Sequence, residues 1–418
     1  MEHITLPTSV ELILRRLKDA GYDAYVVGGC VRDSLMGTEP HDWDICTSAR
    51  PEETIRLFDD CRIVPTGLKH GTVSVMIDDI LYEVTTFRTD GDYSDNRHPD
   101  TVSFVTDLAA DLSRRDFTIN AMAYCYDTGI VDLFGGVEDL TKKQVRCVGK
   151  PEDRFNEDAL RILRTIRFAL RFGFTIEENT MKAMVKLKTN ILNISAERIR
   201  DETIKILSDV DHKNTNEDYF CLFMNMVYSY CGCTNSIVSI PRQLKVSSNM
   251  DLTSKLAALF DSYCVKHLRF PNRITNDVRD IHIYSRAILS DIGTWFNINT
   301  FKDNFIEQQY YARRLLNRSS IDILIKAIAL SPFAYRMEPA YAFALYVLQL
   351  QLLVCDMRED PVHVHDLLVD GNDLISLGFV GKEIGKALND LLDLVMCDKV
   401  ENKKEDLLRE AKRMKEEC

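Results

Sequence analysis

The sequence predicts an α/β head, a mixed sheet covered by helices, followed by a remainder that is almost wholly helical. Three observations carry this. Short β-prone runs alternate with helix-periodic runs as far as Leu140. Two β-prone runs flank a tight turn signal at Asp78-Asp79. Beyond Leu140 the patterns are almost only helical, through Lys415. A length of 418 residues exceeds what one core normally supports, so several domains are expected.

In order along the chain, residues from about 9 to 20 carry apolar side chains at helical period and stop at Gly21. "DAYVV" is a short strand, "CVRDSLM" one or two helical turns, and "WDICT" a second strand. Ser48 and Pro51 open a helix, with the proline in its first turn. "GTVSVMIDDILYEVTTFR" reads as a hairpin. "TVSFV" and "NAMAYCYDTGIVDLF" supply further strands, the latter turning at Asp127-Thr128-Gly129. "AYAFALYVLQLQLLVC" (Ala340 to Cys355) is too short for a membrane span and reads as a buried helix. The terminal "KKEDLLREAKRMKEEC" reads as a solvated, fraying helix.

Composition narrows the function classes. At 45% hydrophobic and 28% charged residues, the chain is of ordinary globular type. No signal peptide is evident, and twelve cysteines form no CxxC pair, so a reducing cytoplasm is expected. The net charge of −12 argues against a general polyanion binder. From Thr141 to Arg200, however, 14 Lys/Arg face 7 Asp/Glu, a local +7 that leaves −19 elsewhere. Such a basic island can meet a polyanion locally.

Candidate chemistry begins at "GGCVRD…DWD". Asp42 and Asp44, two apart, would share one face of a strand while Trp43 turns inward. Paired carboxylates repel unless a cation lies between them, and magnesium suits hard oxygen ligands and phosphates. A solvated loop is the alternative for an isolated acid pair. Gly28-Gly29 lead from a strand into a short helix whose first amides can face an anion, and Arg32 can reach the same anion. Together these describe a nucleoside triphosphate site with metal on its phosphates. Glu83, in "LYEVTTFR", is the third carboxylate that two-metal transfer chemistry asks for; an outward-facing strand glutamate is its alternative.

"GGCVRD…DWD", "RRDFTINAMAY", "DLFGGVEDL" and "RFNEDALRILRTIRFALRFGF" stand in the order and spacing of the class II tRNA nucleotidyltransferases, the CCA-adding enzymes. The chain resembles that family densely from Tyr25 to Phe174 and loosely beyond. The resemblance implies a nucleotidyltransferase head at 1–140, a base-recognising neck at 141–205, a helical body at 206–300 and a tRNA-binding tail at 301–418. It implies that Asp42 and Asp44 are the metal ligands, holding Mg2+, with Glu83 kept from the reading above as the candidate third catalytic acid. Gly28, Gly29 and Arg32 would hold the triphosphate, Arg115 the nucleotide and Asp116 the ribose hydroxyl. "FGG" (Phe134 to Gly136) would be a hinge. Substrates would be CTP, ATP and the 3′ end of tRNA, with no membrane and no protein partner.

The neck motif also has a physical reading. Asp158 and Arg161, three apart, would be neighbours on one helix face. A carboxylate acceptor beside a guanidinium donor can mimic a base edge, matching cytosine and adenine but neither guanine nor uracil. Arg164, Arg167 and Arg171 would continue a basic stripe, with a solvated amphipathic face as the alternative. The polar run Arg88 to Asp100 resembles the flexible loop that CCA- and A-adding enzymes keep. His212, His267 and His282 stand alone in sequence, so no metal-binding His-Asp domain is expected. "VHVHD" (Val362 to Asp366) reads as a cap. Amides near Gly378, Gly381 and Gly385 could meet tRNA phosphates. An A-adding enzyme, a poly(A) polymerase and an inactive RNA-binding protein on the same fold are the competing readings.

Overall fold

The computed structural model describes residues 3–91, 102–209, 216–233, 250–294, 305–334 and 339–416. The chain divides into two compact units, Met1–Ile237 and Val238–Cys418. The predicted loop's residues 92–100, and His212, lie outside the described residues.

In the first unit, helix α1 (Thr8–Asp19) buries Val10, Ile13, Leu14 and Leu17, one stripe at helical spacing. It ends where Gly21 takes φ 88°. Strand β1 (Ala24–Val27), helix α2 (Gly29–Leu35), β2 (Ile45–Thr47) and α3 (Pro51–Leu57) follow. Next come β3 (Arg62–Gly67), β4 (Thr72–Ile77), β5 (Ile80–Thr86), β6 (Arg88–Asp90), β7 (Val102–Phe104) and α4 (Leu108–Ser113). Strands β8 (Met122–Cys125) and β9 (Gly129–Asp132) and helix α5 (Gly136–Thr141) complete the α/β part.

Seven strands form one sheet in the order β3-β4-β5-β2-β1-β8-β9. The sheet is mixed: β2 pairs parallel with β5, while β1 pairs antiparallel with β2 and β8. Strand period two divides it between two cores. Val26 and Ile45 pack with the α1 stripe, whereas their neighbours Val27 and Cys46 pack with Phe87, Leu112 and Ala123. The β4–β5 hairpin turns at Asp78 and Asp79, whose φ of 52° and 60° suit the right-handed twist of the flanking strands.

Two expectations are corrected in detail. Strand β2 begins at Ile45, so Asp42 and Asp44 lie in the extended segment before it. The expected strand in "TVSFV" is β7 (Val102–Phe104), which pairs with β6 in a separate two-stranded sheet. The helix read from Glu157 onward is broken: α6 (Pro151–Glu157) ends at Asp158, whose φ −144° and ψ 103° are extended, and α7 (Leu160–Phe172) restarts after Ala159. Helices α8 (Glu178–Leu187), α9 (Ala196–Asp209) and α10 (Glu217–Tyr230) follow, and α9 and α10 pack against α7.

The second unit is helical throughout its described elements. The apolar helix Pro339–Met357 buries Leu345, Leu348, Leu352 and Cys355 but exposes Tyr346, Leu350, Leu353 and Met357. It is therefore buried on one side only, in contrast to the sequence reading. No described helix is long and apolar enough to cross a membrane. The terminal helix Lys404–Glu416 is docked rather than frayed: Leu407 and Ala411 are buried with Leu374, Leu391 and Val395. Asp366 accepts from the Val362 and His363 amides at 3.0 and 2.7 Å, the capping role read from "VHVHD".

Candidate active site

The end of β1 and the start of α2 build the first wall. Gly28 adopts φ 83° and ψ −124°, a region that L side chains avoid. A Cβ there would lie 3.0 Å from Nη1 of Arg115, so the glycine lets that guanidinium lie against the backbone. Gly29 opens α2, and a Cβ on it would meet Arg32 Nη2 at an ordinary 3.5 Å.

Arg32 is buried rather than poised in solvent. Its Nε donates to Asp33 Oδ1 at 2.8 Å and its Nη1 to Asn120 Oδ1 at 2.5 Å. Its guanidinium also lies 4.8 Å from the Phe172 ring centre, a cation–π contact to α7. Burial lowers its pKa, against the opposing pull of Asp33.

Asp42 and Asp44 precede β2, where the Asp44 carbonyl accepts from the Val27 amide at 3.0 Å. Trp43 is half-buried against the main core, as its position between the acids predicts. Removal from bulk water pushes the Asp44 carboxyl up to about 6, although its residue surface is still open to solvent. The charges of Asp42 and Glu83 push the same way and Arg115 opposes them. Glu83 is exposed on β5, opposite Ser74. The fold thus gathers into one field the three acids that the sequence separates by up to 41 positions. Carboxylate oxygens, whose charges add to the effect of burial at Asp44, are of the hard donor type that a divalent cation takes.

The "RRD" turn is braced by a residue that sequence reasoning missed. Buried Asp111 accepts from Arg114 at 2.8 and 3.0 Å, from Arg115 Nη2 at 3.3 Å and from the Arg88 amide at 3.3 Å. Burial alone would raise its pKa, but the two arginines outweigh that and hold it below the usual value. Its spacing of three and four residues before the arginines was the available signal. Arg115 Nε is buried and has no hydrogen-bond partner among the described residues, which leaves it a donor to offer.

Asp116 is buried and accepts from Arg164 at 2.8 and 2.6 Å and from Asn120 Nδ2 at 3.1 Å. Burial opposes ionisation, yet Arg164 and Arg161 prevail and hold its pKa at about 2. Asn120, four residues after Asp116, therefore joins Arg32 to Asp116 and was also missed.

The neck arginines do not form a free basic stripe. Arg161 donates to Glu157 at 2.6 Å and to the Arg114 carbonyl at 3.1 Å; Arg164 holds Asp116; Arg167 donates to Glu202 at 2.5 Å. Asp158 is paired with Arg198, not Arg161, at 3.0 and 2.8 Å. The expected single helix face is thus corrected to a helix break, with Asp158 and Arg161 on either side of the α7 start.

In "FGG", Asp132 accepts from the Gly136 and Val137 amides at 2.8 and 2.9 Å. A Cβ on Gly136 would come within 2.3 Å of the Thr118 carbonyl. Close packing therefore demands this glycine, apart from any hinge motion. Gly136→Ala is expected to cost about 1–3 kcal/mol by forcing that backbone apart, read as a lower urea midpoint; an unchanged midpoint would contradict the tight approach.

A glycine turn, an arginine against it and a three-acid field at the middle strands of a mixed sheet define the class: a nucleotidyltransferase-type head. A model of the "Poly A polymerase head domain" matches residues 24–146, and one of a "Probable RNA and SrmB- binding site of polymerase A" matches 173–213. The CCA-adding enzyme of Enterococcus faecalis is 34% identical over 406 residues, covering 96% of this chain and 95% of that one. That of Lactobacillus helveticus is 35% identical over 397 residues, covering 93% of each. The solved CCA-adding enzyme of Bacillus stearothermophilus in complex with CTP has a TM-score of 0.69 at 28% identity, covering 98% of both chains. The Thermotoga maritima enzyme complexed with tRNA shares the fold, with a TM-score of 0.64 at 21% identity. The chain belongs to the CCA-adding enzyme family of tRNA nucleotidyltransferases. Nucleotidyltransferases of this family generally use divalent metals.

Proposed function

We propose that the chain adds CCA to the 3′ end of tRNA from CTP and ATP, releasing pyrophosphate and using no nucleic-acid template. The observation that carries this is the joint field of Asp42, Asp44 and Glu83 facing Arg115 beside Gly28. Asp42 and Asp44 would hold Mg2+, with Glu83 as the third acid. Two such ions would supply a more acidic tRNA 3′-hydroxyl and neutralise the charge on the departing pyrophosphate.

The chain's own groups supply position. Gly28, Gly29 and Arg115 form the seat of the triphosphate, and Arg32 fixes the α2 wall from below. Asp116, held ionised by Arg164, is filled by two donors from Arg164 and by Asn120 and the Phe117 amide, so a ribose hydroxyl would bind it by displacing one of these. Asp158 and Arg161 read the base edge. Arg167 belongs to the scaffold through Glu202. The division into head (1–140), neck (141–205), body (206–300) and tail (301–418) is kept as part of this reading. A cytoplasmic site of action belongs to the same reading.

The test uses purified chain, Mg2+ and tRNAs trimmed to different ends. A tRNA ending at its discriminator base should take up labelled CTP and then ATP. ATP uptake only by tRNA already ending in CC would replace the reading with A addition alone. Arg161→Ala should relax the preference for C and A over G and U by about 10-fold, within the 1–3 kcal/mol of one good bidentate contact. Unchanged selectivity would remove Arg161 from base reading.

A further inference from the structure

The break between α6 and α7 leaves Asp158 outside both helices, so no helical packing fixes its carboxylate. Three donors hold it instead. The Leu160 amide donates to Oδ1 at 3.0 Å. Arg198 donates through Nη1 to Oδ1 at 3.0 Å and through Nη2 to Oδ2 at 2.8 Å. Arg198 is carried by α9, which packs along α7 with Ile199, Thr203 and Ile206 buried. One helical turn on, Glu202 of the same face takes Arg167. The fork is therefore anchored at its base by a packed helix.

A carboxylate offers about four acceptor positions, two on each oxygen. Oδ1 is filled by two donors and Oδ2 by one. A single acceptor position remains, on Oδ2, and its direction is set by the planar guanidinium on the other side.

We infer that Arg198 is a positioning residue for nucleotide selectivity, holding Asp158 so that one acceptor alone meets the incoming base. The exocyclic amino group of cytosine or adenine satisfies that acceptor. Uracil and guanine place a carbonyl at the corresponding edge and find no donor there. This inference rests on the reading of Asp158 as a base contact, and the two are separable by experiment.

The full chain is assayed with Mg2+ and tRNA ending at the discriminator base, comparing kcat/KM for CTP and UTP. Arg198→Met removes the fork while keeping a long side chain. It should lower the CTP-to-UTP ratio about 10-fold and raise the KM for CTP. Arg198→Lys keeps the charge but not the planar fork, and should fall between Met and the parent. Melting temperatures are measured beside the kinetics, and the Lys variant carries the test if the Met variant does not fold. Asp158→Asn, which places an amide donor beside the base, should raise UTP use.

A ratio that moves with Asp158→Asn but not with either Arg198 variant overturns the inference and leaves the Asp158 reading intact. A ratio that moves with none of them overturns the Asp158 reading itself. A lower KM for CTP with unchanged selectivity in Arg198→Met would make Arg198 a plug that nucleotide displaces, which also overturns the inference.

Discussion

Replacing Asp42 and Asp44 together with alanine is expected to abolish nucleotide incorporation, by about 10³-fold or more, while leaving the protein folded. The magnitude follows from chemistry: metal ions at a transferring phosphoryl group contribute several kcal/mol, and each 1.36 kcal/mol is about tenfold in rate. The fold should survive because neither aspartate side chain makes a hydrogen bond or ion pair among the described residues. Burial pushes the Asp44 carboxyl up to about 6 and the charges of Asp42 and Glu83 add to the rise, so their mutual repulsion opposes the metal-free fold. Removing two of the three charges relieves it. The measurement is single-turnover CTP incorporation alongside a thermal melt. Activity surviving the double substitution would overturn the metal assignment; a collapsed melting temperature would mean that the aspartates hold the fold.

Arg167→Ala is expected to have the largest effect on stability, about 3–5 kcal/mol, the loss on stranding one partner of a buried ion pair. The side chains of Arg167 and Glu202 are 8% and 2% exposed and 2.5 Å apart. The Arg167 guanidinium also lies 4.4 Å from the Phe168 ring centre. Alanine would strip Glu202 of its ion-paired partner in the α7–α9 interface, leaving it only the more distant charge of Arg164. Pairing Arg167→Met with Glu202→Gln should recover most of the loss, because no uncompensated charge then remains. Urea denaturation reads both outcomes. Selectivity among the four nucleotides should be unchanged in the double variant, since Arg167 is buried in the α7–α9 interface with Glu202. A stable Arg167→Ala protein with lost nucleotide affinity would restore Arg167 to the binding site.

The head was largely legible in sequence because its elements carry local signals. The α1 stripe shows the helical period, the β4–β5 hairpin carries its two aspartates at the turn, and Gly28-Gly29 announce a backbone that side chains would obstruct. The candidate acids were picked out from sequence by their spacing of two downstream of a glycine turn. The neck was less legible. "EDALRILRTIRFAL" has uninterrupted helical period, with neither proline nor glycine to mark the break at Asp158. Arginines three apart in such a run look like a stripe waiting for a polyanion.

What the sequence determined by itself was the class of chemistry and the order of its parts. Glycines, acids and arginines in a fixed succession restrict what a chain can bind wherever their local backbone forms. What only the tertiary structure decided was which charge answers which. Arg164 meets Asp116 across 48 positions, Arg198 meets Asp158 across 40, and Arg167 meets Glu202 across 35. The physical reason is that a buried guanidinium must be neutralised by the nearest carboxylate in space. Helix packing sets that distance, and sequence separation carries no record of it.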